Sequence, residues 1–345
     1  MNTPVVYVVG AARTPVAQVN GALSQFSAVE LGAAAIQGAV KRSRVPPELI
    51  SHVYMGHALQ AGCGQSPSKQ AAIFAGLPET IEATTINKVC ASGLKAVTLA
   101  AQDILLGIDS VRVAGGMESM SNVPSYVDKK PPAGEGKEQN GVTKDGLLNP
   151  YDGLSMGACA DLIAARFELS KESQDEYALA SFKRASRAVE MDLFSEEVVP
   201  VPYRPGGSKQ VSTDDIRGKA LFQRLKTLNP AFSAAGTITG GTSCTIADGA
   251  SAVVLTNAQV VRQYCRDNSL LARIVSFADA AAKPKEFSIA PAKAAEIALQ
   301  RAKLVVDDIT HWEINEAFAA VVLINQKVRL DRLGNSSPKR ECWMS

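Results

Sequence analysis

Apolar residues fall into two textures along the chain: short near-continuous runs closed by glycine or proline, and longer stretches in which they recur every three or four positions. The first texture predicts buried strands, the second helices that bury one face. Residues 5–9 are the first strand candidate, closed by Gly10-Ala-Ala-Arg-Thr-Pro15 with its fixed-φ proline. Ser27 is placed to cap a helix through Lys41, with Val29, Ala33, Ile36 and Val40 on one face. Residues 53–56 read as a strand and 69–75 as the start of a helix. Thr84-Thr85-Ile86 is a β-branched run. It leads into Asn87-Lys88-Val89-Cys90-Ala91-Ser92-Gly93 and then a helix expected to turn Leu94, Val97, Ala101, Ile104 and Leu105 inward. Residues 111–116 form a strand ending in glycines, followed by Met117-Glu-Ser-Met-Ser121. Strands alternating with helices predict an α/β layered sheet.

From residue 122 to about 245 the texture changes. Residues 129–146 and 202–219 are rich in Lys, Pro and Gly and read as exposed loops. Between them 161–167 is amphipathic, and Ser170 caps a helix with acidic residues early and Arg184 and Arg187 late, matching its dipole. Strands then return at 248–255 and 271–277, with a helix after Pro291. The segment Ile309-Thr-His-Trp-Glu-Ile-Asn315 lines up with Ile50-Ser-His-Val-Tyr-Met-Gly56. This internal repeat divides the chain into an N-terminal half (1–121), an inserted loop domain (122–245), a partial C-terminal half (246–325) and a divergent tail (326–345). The second repeat is expected to be incomplete.

Composition narrows the classes. Hydrophobic residues are 46% and charged residues 20%, as in a globular protein, and the net charge of +2 provides no broad footprint for nucleic acid or a membrane surface. The six cysteines (63, 90, 159, 244, 265 and 342) lack CxxC spacing, so neither a disulfide framework nor a zinc site is expected. No basic or Arg-rich leader opens the sequence and no run is long enough to span a bilayer, so the expected compartment is the cytoplasm.

Chemistry concentrates at Cys90. A cysteine just before a helix sits where free N–H groups and the dipole favour an anion, which would lower the thiol pKa. Ala91, Ser92 and Gly93 leave room for a reactant to approach the sulfur.

Three segments in order, Asn87-Lys-Val-Cys-Ala-Ser-Gly93, Val113-Ala-Gly-Gly-Met-Glu-Ser-Met120 and Trp312-Glu-Ile-Asn-Glu-Ala-Phe318, resemble those of thiolases. The likeness is strongest to the biosynthetic acetyl-CoA C-acetyltransferases. It implies a duplicated αβαβα layered fold with an inserted loop domain, and a homo-oligomer, dimer or tetramer. It implies that Cys90 takes an acetyl group from acetyl-CoA and that a second acetyl-CoA attacks it, giving acetoacetyl-CoA and CoA toward isoprenoids or sterols. Asn315 matches the asparagine that positions a water at a thioester oxygen. Phe318, with Met156 and Leu147, matches the acyl pocket. Phe232, Gly240 and Cys244 match positions near the pantetheine arm, and Arg217 an adenine-side arginine. No cofactor or metal is implied, CoA and its acetyl esters being substrate and product.

The family's Gly-His-Pro and Cys-x-Gly-Gly-Gly segments have no counterpart here. The histidines are His52, His57 and His311, and Cys342 stands in no glycine context. A C-terminally truncated acyltransferase is therefore the expectation. Two alternatives stay beside it: a non-catalytic CoA-binding or subunit-interacting chain on the same fold, and a degradative 3-ketoacyl-CoA thiolase.

Overall fold

A computed structural model of the chain describes residues 4–127, 138–202, 209–215, 223–265, 270–333 and 342–343. The residues form two compact units that interleave along the chain.

The first unit combines Met1–Gly146, Asp192–Asp215 and Ile246–Val275. Its sheet is built from β1 (Val6–Arg13), β2 (His52–Gly56), β3 (Glu82–Ile86), β4 (Val111–Ser119), β5 (Ala247–Asn257) and β6 (Ala272–Ile274), in the spatial order β6-β1-β5-β4-β2-β3. β2 runs parallel to both β3 and β4, whereas β5 is antiparallel to β4 and β1. β1 extends past its expected end, its pairing with β5 shifting register between Val8 and Gly10.

β5 corrects the sequence-based division. The run at 248–255 was expected to open the C-terminal half. Instead it lies between β1 and β4 and satisfies both their ladders, pairing Val6 with Asn257 and Gly116 with Ser251. Residues 122–245 likewise do not form one body, since 122–146 and 192–215 join the first unit and 147–191 and 216–245 the second.

Period-two alternation sorts the two faces of this sheet. Val53, Met55, Val111, Val113, Ala252 and Val254 enter a core with α1 (Ala28–Ser43) and α2 (Pro67–Phe74). Each fully buried Ile or Met here contributes roughly 1.5–3 kcal/mol. Helix α1 starts where expected: Ser27 Oγ accepts from the Glu30 N–H at 3.3 Å, while the Glu30 carboxylate accepts from the Ser27 N–H at 2.8 Å. On the opposite face Tyr54 and Arg112 meet Asp103 of α3 (Ser92–Leu105), at 2.8 and 3.0 Å.

Helix α3 buries only part of the expected face. Ala101 and Ile104 are buried, together with Ala96 and Ala100, and Val97 and Leu105 are half-buried, while Leu94 is 74% exposed. The reason lies in what it packs on. A Cβ at Gly56 would overlap the backbone of Ser92 and Gly93, and one at Gly116 would lie 3.4 Å from the Gly93 Cα. Only small residues allow the helix to approach the strands this closely, so the alanine stripe faces inward.

The second unit combines Leu147–Met191, Ile216–Thr245 and Ser276–Ser345. Its described helices are α4 (Met156–Arg166), α5 (Lys171–Glu190), α7 (Ala290–Ala302) and α8 (Ala319–Leu333); α6 (Ala258–Tyr264) belongs to the first unit. Ser155 and Ser170 cap α4 and α5, accepting from Ala158 and Ser173 N–H at 3.1 Å each. Ala160, Ile163, Ala164, Leu169, Ile238, Phe318, Val321 and Ile324 make its core. The repeat keeps its local form: a 3₁₀ turn precedes the strand both at Pro47–Leu49 with β2 and at Val306–Asp308 with the two-residue strand His311–Trp312. Helix α8 runs on from 319 to 333, so 326–333 continues an ordered element rather than starting a divergent tail.

Gly56→Ala should lower stability by about 1–3 kcal/mol, because the added methyl has to displace the start of α3. Urea unfolding monitored by circular dichroism reads this as a lower midpoint at constant slope. An unchanged midpoint would show that α3 does not depend on that contact.

Candidate active site

The Cys90 segment is a strained elbow between β3 and α3. Val89 has φ +51°, left-handed backbone that a β-branched residue rarely adopts. Two side chains hold it there. Asn87 Oδ1 accepts from the Val89 N–H at 3.0 Å, and the Ser92 hydroxyl accepts from the Lys88 N–H at 2.8 Å while donating to the Val89 carbonyl at 2.6 Å. Such a residue costs about 1–3 kcal/mol and persists only where its surroundings over-determine it. Cys90, the next residue, is exposed.

Its electrostatics differ from the sequence expectation. Burial of the sulfur pushes the Cys90 thiol above its ordinary range; its own backbone N–H works the other way, and the Glu118 carboxylate adds to the rise. Helix α3 begins at Ser92, with Ala91 as an N-cap that makes no side-chain hydrogen bond, so Cys90 lies before its first turn.

Glu118 is a residue that pattern reading passed over. It ends β4 beside the end of β2, since the register sets Gly116 opposite Gly56. Its carboxylate accepts from the Ala58 and Leu59 N–H groups at 2.9 and 3.2 Å and lies 3.2 Å from His57 Nε2. His57 is 1% exposed, and its Nε2 is also 4.0 Å from the Cys63 sulfur. Burial first, and then Glu118, raise the Cys63 thiol. Period-two counting along β4 puts Glu118 on the face that carries α3, which was the signal available for it.

The other candidate residues gather in the second unit. Asn315 is exposed, and its amide makes no hydrogen bond among the described residues; it lines an open depression with Glu313, Ile314 and Glu316. Phe318 is 8% exposed, set in the core with Met156 packed against it. The Phe232 ring meets Phe318 edge to face, with centroids 5.7 Å apart at 85°. The 239–244 turn is tied to the same segment: the Cys244 N–H donates to the Ala317 carbonyl at 3.0 Å and the Ala319 N–H to the Thr242 carbonyl at 2.9 Å. A Cβ on Gly240 would meet nothing within 4 Å, which leaves open space over that turn. Leu147 closes the helical turn Val142–Leu147 and is partly exposed, one residue before the Leu148–Ser155 bridge that leads to Met156. Arg217 lies outside the described residues.

Sequence comparison assigns the chain to a family. The chain matches the family model for the thiolase N-terminal domain over residues 6–259 and that for the thiolase C-terminal domain over 268–333. The chain belongs to the thiolase family. The C-terminal match covers 326–333 as well, in line with the continuity of α8. A mitochondrial acetyl-CoA acetyltransferase of Aspergillus fumigatus is 48% identical over 328 residues, covering 93% of this chain and 76% of that protein. A cytosolic one from Gibberella zeae is 43% identical over 333 residues, covering 95% and 83%. Among solved structures, a thiolase from Ascaris suum in complex with coenzyme A superposes with a TM-score of 0.89 at 35% identity, covering 95% of this chain and 85% of that one. Like these relatives, this thiolase is an acyltransferase by family. Among the described residues no helix is long and apolar enough to cross a membrane.

A raised thiol pKa places the reactive thiolate above the ordinary cysteine range of about 8.5. Alkylation of Cys90 by iodoacetamide should accordingly rise with pH through a midpoint above that value. In Glu118→Gln, which removes the negative charge, the midpoint should move down. A midpoint that stays put or climbs would show that Glu118 does not act on Cys90.

Proposed function

We propose that this thiolase is an acetyl-CoA C-acetyltransferase working through an acetyl-Cys90 thioester. The observation that carries the reading is the elbow itself: a surface cysteine with a partly desolvated sulfur on a strained turn, set close to the sheet by glycines. Names of relatives at 42–48% identity support the acetyl group as cargo. The coenzyme A complex of the Ascaris suum thiolase supports a CoA thioester as carrier.

In this reading the Cys90 thiolate attacks the carbonyl of one acetyl-CoA, and CoA leaves as a thiol after taking a proton. A second acetyl-CoA loses a proton from its methyl carbon. That carbanion attacks the acetyl-Cys90 carbonyl, the C–S bond to Cys90 breaks, and acetoacetyl-CoA departs. Each addition puts negative charge on a thioester oxygen, which requires fixed donors at that position. Asn315, with its unengaged amide, is assigned to hold a water there. Met156, Phe318 and Leu147 are assigned to the acetyl pocket. Phe232, Gly240 and Cys244 are assigned to the pantetheine side, where the space over Gly240 suits a narrow arm. Arg217 is assigned to the adenine end from the resemblance. A homo-oligomer, a cytoplasmic setting and supply of isoprenoid or sterol synthesis complete the proposal; condensation is uphill, so it needs a consumer of its product.

One observation favours a second reading. Neither a Gly-His-Pro nor a Cys-x-Gly-Gly-Gly segment is among these 345 residues, and His57 is buried against Glu118. A positioned proton carrier contributes about 10²–10⁴-fold, so a chain that acetylates without condensing is the competing outcome.

Intact-mass measurement after incubation with acetyl-CoA separates the two. We expect one acetyl group on the protein, absent in Cys90→Ser, and acetoacetyl-CoA formation lowered at least about a thousandfold by that substitution. Acetylation without product would establish the second reading, and no acetylation would defeat both.

A further inference from the structure

The segment that follows Asn315 is held at two points. Further along, Phe318 is anchored in the core, and the 239–244 turn binds the Ala317 carbonyl and the Ala319 N–H. Directly after Asn315 the anchor is Glu316, both of whose carboxylate oxygens are engaged. Tyr177 donates its hydroxyl to Oε1 at 2.5 Å, and Ser181 donates its own to Oε2 at 2.7 Å. Positions 177 and 181 are four apart on α5, so one helix face presents both donors. Charge-assisted bonds of this length are about twice as strong as neutral ones.

We propose that Glu316 is a positioning residue for Asn315, clamped by Tyr177 and Ser181 of α5 so that the neighbouring amide keeps one orientation over the open depression. The proposal rests on the reading of Asn315 as a site residue. Three observations favour it over a simple fold brace. First, the clamp takes up the whole carboxylate of Glu316 and leaves the adjacent Asn315 amide unengaged. Second, Glu313, Asn315 and Glu316 line one and the same depression. Third, Tyr177 keeps its proton: burial first, and then Glu316, push its pKa far up, so it remains the donor at any working pH. Glu313 is raised as well, by burial and then by the Glu316 charge, so the Glu316 carboxylate acts on the depression beyond its own hydrogen bonds.

The pattern of effects is specific. Glu316→Gln replaces one accepting oxygen by an NH₂ group and should loosen the segment without emptying space. We expect the kcat for acetoacetyl-CoA formation to fall about 10–100-fold while the KM for acetyl-CoA stays within about twofold, because misplacement by an ångström costs on the order of a hundredfold. Acetyl uptake at Cys90 should persist. Tyr177→Phe should cost less than Glu316→Gln. The double variant with Asn315→Ala should be no slower than Asn315→Ala alone, since a residue acting only through Asn315 adds nothing once that amide is gone. Additive losses would overturn the proposal.

A second measurement does not depend on turnover. Hydrogen exchange of amides 313–318 should quicken at least about tenfold in Glu316→Gln, with α4 and α8 unchanged. Unchanged exchange in that segment would equally overturn the clamp. If Glu316→Gln does not fold, Tyr177→Phe and Ser181→Ala carry the same two readouts. Failure of the wild-type protein to take up acetyl would defeat the reading of Cys90, while exchange would still decide the clamp.

Discussion

The close seat of α3 on the sheet is the contact on which the rest of the first unit depends. Gly56 and Gly116 from adjacent parallel strands and Gly93 from the helix meet without side chains between them. That approach sets where α3 starts, and the start of α3 sets where the chain must turn. Val89 then carries the turn in a conformation unfavourable for its residue type, and Cys90 is presented just beyond it. The strain is local and its restraints are too: one asparagine, one serine hydroxyl, and the helix that follows.

The surroundings of both thiols favour the protonated form. Burial first, and then a carboxylate with two backbone donors and a buried imidazole for company, raise Cys63 and Cys90. A thiol kept protonated until a partner arrives is protected from stray electrophiles, because the thiolate is the nucleophilic form.

Much of the fold was legible from the chain. Ser27 and Ser170 mark helix starts by cap chemistry, and the β-branched and glycine-ended runs mark strands, because these signals are local. What stayed hidden was non-local. The inward face of α3 is decided by glycines on two other strands, so counting apolar residues selected Leu94, which lies in solvent. The place of β5 is decided by two antiparallel ladders that no neighbouring residue announces. At the candidate site, Cys90 and Asn315 stand out through their motifs. Glu118, His57, Tyr177 and Ser181 were not, because their roles come from residues far away in the chain meeting across strand ends or between a helix and a loop.

The central position of β5 has a bearing on how the protein comes to exist at all. β1 is made well before its pairing partners β5 and β6, with Val6 opposite Asn257 and Ile274. Until β5 has been made, β1 and β4 each present an open ladder where it will lie. Contacts so distant in sequence close slowly, and nascent chains with unpaired strand edges are the ones that stick to each other. The sheet that carries the cysteine thus stays incomplete, with its ladders open to other chains, until β5 arrives.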